Sequence, residues 1–128
     1  SLHSASSLKR NLLMPINESI PLTNLKDSIK YFYKKTQARI TYEYVLLNDI
    51  NDGIDDAKLL ADFCKISPCK INLIEYNSTN SIKYKKSSNE KTLEFIDYLK
   101  RKNLIVHLRR SRGKDIAAAC GQLVNEVL

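Results

Sequence analysis

Long apolar runs are missing from this chain. No stretch approaches the roughly 20 residues needed to span a bilayer, so no membrane partner is expected. The N-terminus lacks a basic region followed by an apolar block, the mark of a secretory signal, and a cytoplasmic location is expected by default. Cysteine is scarce: Cys64, Cys69 and Cys120 are the 3 present. An odd count without a signal argues against a disulfide framework. Cys64 and Cys69 do not have zinc-knuckle spacing, and His3 and His107 are far apart in sequence. No metal-ligand cluster of recognisable spacing exists, so no metal is expected to be held by this chain. Internal repeats and low-complexity linkers are also lacking.

What is there is ordinary in bulk and unusual in charge. The 128 residues suffice for one modest domain with a core, and residues 1–128 are expected to form a single unit. An apolar content of 43% and a charged content of 27% are those of a globular protein. The formal net charge is +7, from 21 Lys and Arg against 14 Asp and Glu. Such a balance favours an anionic partner, of which nucleic acid is the usual one. A basic surface that serves only solubility is the alternative.

Residue patterning alternates helix and strand. Ser4 to Leu13 reads as a helix stopping before Pro15. Leu22, Leu25, Ile29 and Phe32 form a helical stripe within Leu22–Lys35. Arg39–Leu47 is β-branched and aromatic, hence a strand. Asn51-Asp52-Gly53 is a turn opening a helix with Ile54, Ala57, Leu60, Ala61 and Cys64 on one side. Asp55 and Asp56 sit near the positive end of its dipole. Lys70–Tyr76 reads as a second strand and Asn77–Lys86 as a loop. Ser87-Ser88-Asn89-Glu90 has capping-box spacing and opens a helix through Lys102. Leu104–Arg109 is a third strand, and a last helix runs from about Asp115 towards Leu128. The fold class expected is α/β, with parallel strands alternating with helices and right-handed crossovers.

Each strand carries a polar residue near its middle: Glu43, Asn72 and His107. Singly, each reads as an edge position or a satisfied core side chain. Together they fit a ligand-lined interior of a barrel-like fold. The chain opens on Ser1-Leu2-His3 and passes at once towards a helix with no full first strand. A parallel sheet without its first strand exposes an unpaired edge, so the chain is expected to be the C-terminal part of something longer.

The end of the sequence carries the most chemistry. Arg109, Arg110, Arg112 and Lys114 cluster around Gly113, with Asp115 placed to cap a helix. A glycine and a helix start admit phosphate, and guanidinium groups grip it in bidentate fashion. A solvated basic turn is the alternative. Cys120 lies on the stripe Ile116, Ala119, Cys120, Leu123, Val127, which by itself describes a buried small hydrophobe. Yet Ala118, Ala119 and Gly121 leave space around its sulfur, and nearby arginines favour the nucleophilic thiolate.

These residues also carry a family resemblance. Arg110 to Leu123 resembles the ending R-x-x-R-G-x-D-I-x-A-A-C-G-Q-L of the radical-SAM dual-specificity RNA adenine methyltransferases, the RlmN/Cfr family. Leu12-Leu13-Met14-Pro15-Ile16-Asn17 is similar to its L-M-P-I-N. Tyr42-Glu43-Tyr44-Val45-Leu46-Leu47 with Ile50-Asn51-Asp52 is similar to its E-Y-V-L-L…N-D. Cys69-Lys70-Ile71-Asn72-Leu73-Ile74 with Asn77 is similar to its C-K-V-N-L-I-x-x-N. Ser1-Leu2-His3 resembles the S-L-H that ends an earlier barrel strand.

The resemblance implies the C-terminal half of a partial (β/α) radical-SAM barrel. It implies methylation of adenosine C2 in large-subunit rRNA, and in many members of a tRNA adenosine. Two molecules of S-adenosyl-L-methionine are used. One methylates the cysteine matched by Cys120. The other is cleaved reductively on a 4Fe–4S cluster, and the radical formed activates that S-methyl group for addition to the base. The resemblance places Ser1, Leu2, His3 and Asn77 at S-adenosylmethionine. RNA is then the polyanion expected at Arg109, Arg110, Arg112 and Lys114.

Departures accompany it. The cluster motif C-x-x-x-C-x-x-C, the Gly-Glu motif, the resolving cysteine and the general-base glutamate belong to the family's N-terminal part and have no match here. That missing N-terminal half and a reductant for the cluster are therefore expected partners, and the 128 residues alone are expected to be inactive. Ser78-Thr79-Asn80-Ser81 replaces the family's usual Pro and Gly residues, and Lys114 stands where the family usually has an acid. Overall similarity favours the C2 over the C8 type. The competing reading is a non-catalytic basic RNA-binding module with Cys120 structural.

Overall fold

The structure is a computed structural model that describes residues 1–14, 21–76 and 84–110. Among the described residues four helices and three strands follow in order: α1 (Ser7–Leu13), α2 (Leu22–Thr36), β1 (Ile40–Leu46), α3 (Ile54–Phe63), β2 (Cys69–Glu75), α4 (Asn89–Arg101) and β3 (Ile105–Arg110). A short 3-10 turn, Cys64–Ile66, follows α3. The strands form one parallel sheet in the order β1-β2-β3. The expected parallel α/β fold is what the chain adopts. Among the described residues no helix is long and apolar enough to cross a membrane.

Alternation along the strands sorts side chains onto two faces. Tyr42, Tyr44, Leu46, Ile71 and Leu73 pack against Leu22 and Ile29 of α2, Ala57, Leu60 and Ala61 of α3, and Phe95 and Leu99 of α4. This is the main core, and three helices cover that face. Val45, Leu47, Ile74 and Tyr76 point the other way and meet Leu13, Met14 and Tyr84. This second cluster fills the opposite face near the C-terminal ends of β1 and β2. The layer of Glu43 and Asn72, further back along the strands, is only half-buried.

Local chemistry shifted several boundaries. The first helix starts at Ser7, not Ser4, because Ser6 is its N-cap: Ser6 is extended and its hydroxyl accepts from Lys9 N at 3.4 Å. Ser4 Oγ accepts from Ser6 N at 3.0 Å, so these serines cap the helix instead of extending it. On α3, Ile54 is exposed and Asp56 is buried, the reverse of the expected stripe. Asp56 tolerates burial because it accepts from Gly53 N at 3.1 Å and from Lys9 Nζ at 2.7 Å. The cap of α4 is Ser88, whose hydroxyl accepts from Lys91 N at 3.2 Å. Ser87 instead donates to Asp52 Oδ2 at 2.7 Å. The loop expected over 77–86 includes Lys86, which bridges antiparallel to Leu47. Its residues 77–83, the final helix from Asp115 and residues 15–17 of the L-M-P-I-N match lie outside the described residues.

Candidate functional site

Strand register turns three scattered polar residues into one row. Glu43 is opposite Asn72, and Asn72 is opposite His107. All three therefore project from the sheet face that α2, α3 and α4 do not cover. Asn72 Nδ2 donates to Glu43 Oε1 at 3.1 Å. Arg109, one layer further along β3, reaches back over β2, and its Nη1 lies 3.7 Å from Glu43 Oε2. That oxygen is buried and has no hydrogen bond among the described residues. The row thus presents a carboxylate tethered on one oxygen and faced by a guanidinium on the other, with His107 exposed beside it.

Ser1-Leu2-His3 runs along the free edge of β1 and is bound to it through main chain and side chain. Leu2 N donates to Glu43 O at 2.9 Å, and Val45 N donates to His3 Nδ1 at 3.0 Å. His3 adopts a left-handed backbone, φ 59°. Its fully buried ring is held neutral: burial pulls its pKa down to about 3. Since Nδ1 accepts, the ring proton sits on Nε2, and that N–H has no partner among the described residues.

Asn51 locks this arrangement. Its Nδ2 donates to His3 O at 2.7 Å and to Val45 O at 2.8 Å, and its Oδ1 accepts from Leu47 N at 2.8 Å. Tyr44 Oη donates to Asn51 O at 2.7 Å. Sequence reasoning placed Asn51 in a turn and in the Ile50-Asn51-Asp52 match, with no bonding role. Its position directly after a strand, in Asn-Asp-Gly, is the signal that a side-chain amide could serve the strand end.

The expected site residues divide into two groups. Ser1, Leu2 and His3 lie at the C-terminal half of β1, and Arg109 is on the same sheet face as Glu43. The expected basic loop begins later than Arg109, because β3 runs through Arg110 and consecutive strand residues point to opposite faces. Arg110 is therefore on the other face, in register with Glu75. Asn77, Arg112, Lys114 and Cys120 lie outside the described residues.

The described residues include no group of three or more His, Cys, Asp or Glu able to hold a metal ion. Cys64 and Cys69 are free and buried. The adjacent Cys69 sulfur and burial push the Cys64 thiol up, so it is an inert thiol.

Comparison with known proteins gives a consistent picture. No family model matches the chain. It is 50% identical, over 98% of its length, to a protein of Christiangramia forsetii named probable dual-specificity RNA methyltransferase RlmN. It is 41% identical, over 98% of its length, to the dual-specificity RNA methyltransferase RlmN of Anaeromyxobacter sp. strain Fw109-5. It spans only 36% and 33% of those two proteins, and the matched part is their C-terminal third. Its fold superposes on the crystal structure of a radical SAM methyltransferase from Sphaerobacter thermophilus with a TM-score of 0.84 and 34% identity. That match covers 96% of this chain and 36% of the other. A domain of pyruvate-formate lyase-activating enzyme from Bacteroides vulgatus shares the fold at 20% identity, with a TM-score of 0.66 over 84% of this chain and 63% of that one.

Proposed function

This chain belongs with the C-terminal third of the RlmN-type radical-SAM RNA methyltransferases, and from that premise we propose that the whole protein methylates C2 of an adenosine in large-subunit rRNA and an adenosine in tRNA, with Cys120 carrying the methyl group. The supporting observation is identity of 50% across 98% of the chain, together with the row Glu43, Asn72 and His107 on the sheet face that α2, α3 and α4 do not cover.

S-adenosylmethionine fits what the described part offers. The buried Nε2–H of His3 is a donor without an acceptor among the described residues, and leaving such a group unpaired is costly. A ribose hydroxyl or a carboxylate of the cofactor would supply an acceptor. Ser1, Leu2, His3 and Asn77 are the residues that would hold the cofactor, which when bound supplies the transferred carbon and the radical chemistry. Cys120 is the sulfur that would accept that carbon. Arg109, Arg110, Arg112 and Lys114 would engage RNA phosphates.

An iron–sulfur cluster does not fit the described residues, because no suitable group of ligands is present among them. No step is derived through it, and its ligands are assigned to the N-terminal part of the whole protein. On this reading the 128 residues alone are inactive.

The test is direct. The full-length protein, supplied with S-adenosylmethionine and a reductant, is incubated with an unmodified rRNA fragment and a tRNA transcript, and the nucleosides are separated by mass-resolved chromatography. Formation of 2-methyladenosine in both supports the proposal. Formation of 8-methyladenosine, or of neither product, overturns the assigned specificity or the activity.

A further inference from the structure

Helix α2 differs from the other helices in how it treats its charge. α1 ties Lys9 to Asp56, and α4 ties Lys91 to Asp49 and Arg101 to Asp97. Asp62 of α3 meets Lys65 just beyond the helix end. α2 carries Lys26, Lys30, Lys34 and Lys35 against a single acid, Asp27. Lys26 lies over the Phe63 ring, 5.7 Å from its centroid, and so serves packing. Among the described residues Lys30, Lys34 and Lys35 have no ion-pair partner.

Lys34 and Lys35 lie one helical turn from Tyr31, an aromatic also left in solvent, and Lys30 precedes it. Leu22, Leu25 and Ile29 mark the side of α2 that packs on the core, and helical spacing puts Lys30, Tyr31, Lys34 and Lys35 away from it. Tyr31 is 65% exposed, and Lys35 Nζ is 5.6 Å from its ring centroid. Phe32, at 44% exposure, flanks the same patch. A large ring left mostly in solvent, with Lys35 over it and Lys30 and Lys34 exposed on the same helix, matches a nucleic acid strand, which offers phosphates and a flat base together. An acidic protein surface would neutralise the lysines but provides nothing to stack on the ring.

We infer that the outer face of α2, formed by Lys30, Tyr31, Lys34 and Lys35, is a second RNA contact that stacks an unpaired base on Tyr31 while the lysines hold its flanking phosphates. The inference rests on the RNA-methyltransferase reading and adds a surface to it. α2 leads into the N-terminal end of β1, whereas His3 and Arg109 are at the C-terminal ends of the strands. A seven-residue strand is roughly 20 Å long, so the contact falls on RNA flanking the modified adenosine, not on the adenosine itself.

The experiment uses the full-length protein and fluorescence anisotropy with two probes, a short labelled single-stranded RNA and a labelled tRNA transcript, across a salt series. Tyr31→Ala is expected to weaken binding by about fivefold or more, and Tyr31→Phe to retain it. The double variant Lys34→Gln/Lys35→Gln is expected to lower the slope of log affinity against log salt by about 1.5. Melting temperature and S-adenosylmethionine binding are expected to be unchanged in all of them. Wild-type binding that persists with the same affinity and slope in the variants overturns the α2 contact alone. Loss in the lysine variant with none in Tyr31→Ala overturns the stacking contact. A drop in melting temperature that parallels the loss of binding assigns Tyr31 to packing and also overturns it. Failure of the wild type to bind either RNA removes the methyltransferase reading itself.

Discussion

Glu43 on β1 and Arg109 on β3 approach to 3.7 Å across the intervening β2, above Asn72. The contact exists because parallel register aligns residue 43 with residue 72 and residue 72 with residue 107, so that Arg109 is one same-face step beyond the row. It joins the first and last strands on the uncovered face, just before the segment that leads to Cys120.

Because both side chains remain partly exposed, at 43% and 33%, the pair contributes little to stability. Glu43→Gln is expected to change unfolding free energy by less than about 1 kcal/mol. In the full-length protein the same change is expected to reduce RNA methylation about tenfold, since it removes the carboxylate charge that faces Arg109. Thermal melting and a single-turnover methylation assay on the same preparation check both halves.

Asn51 should behave in the opposite way. It is fully buried and satisfies three main-chain groups at once. Asn51→Ala strands the carbonyls of His3 and Val45 and the N–H of Leu47, and is expected to destabilise by about 3 kcal/mol or more. Asn51→Asp does not rescue it, because two of the three bonds are donated by the amide nitrogen. Chemical denaturation of the three proteins measures the order.

His3 supplies a pH dependence. Its folded pKa, about 3, is below the ordinary value near 6.5. Below that ordinary value the unfolded chain takes up a proton that the folded chain refuses. Its contribution is therefore fully present above pH of about 6.5 and is lost as pH falls towards 3, by at most about 1.4 kcal/mol per unit. Melting temperatures between pH 7 and 5 should fall more steeply in the wild type than in His3→Gln.

The two adjacent serines before α4 separate a cap from a buried bond. Ser88→Ala removes the hydroxyl that caps Lys91 N and is expected to cost about 1 kcal/mol. Ser87→Ala leaves Asp52 Oδ2 without its buried donor and is expected to cost about 2 kcal/mol. Equal losses, or a larger one at Ser88, would contradict the assignment of roles.

Much of the fold was legible because its signals are local. The β-branched and aromatic runs marked all three strands to within a residue or so, and the period of Leu22, Leu25, Ile29 and Phe32 marked α2, although Phe32, at its far end, is exposed. Glu43, Asn72 and His107 were legible as mid-strand polar residues, but their alignment depends on register, which no local pattern specifies. The same holds for Glu43 and Arg109. Asn51 was opaque for another reason: its role is to bond main chain in Ser1–His3 and β1, and side-chain type alone does not name the acceptor. Ser87 and Ser88 both carry hydroxyls able to cap, and only the position of Asp52 decides between them.

The central claim concerns Cys120, and peptide mass spectrometry of the full-length protein tests it most directly. Purified after incubation with S-adenosylmethionine bearing a labelled methyl group but no RNA, the protein should carry the label on Cys120 and pass it to RNA once RNA, reductant and unlabelled S-adenosylmethionine are added. An unmodified Cys120, together with undiminished RNA methylation by Cys120→Ala, would contradict the account, since no methyl group could then pass through that sulfur.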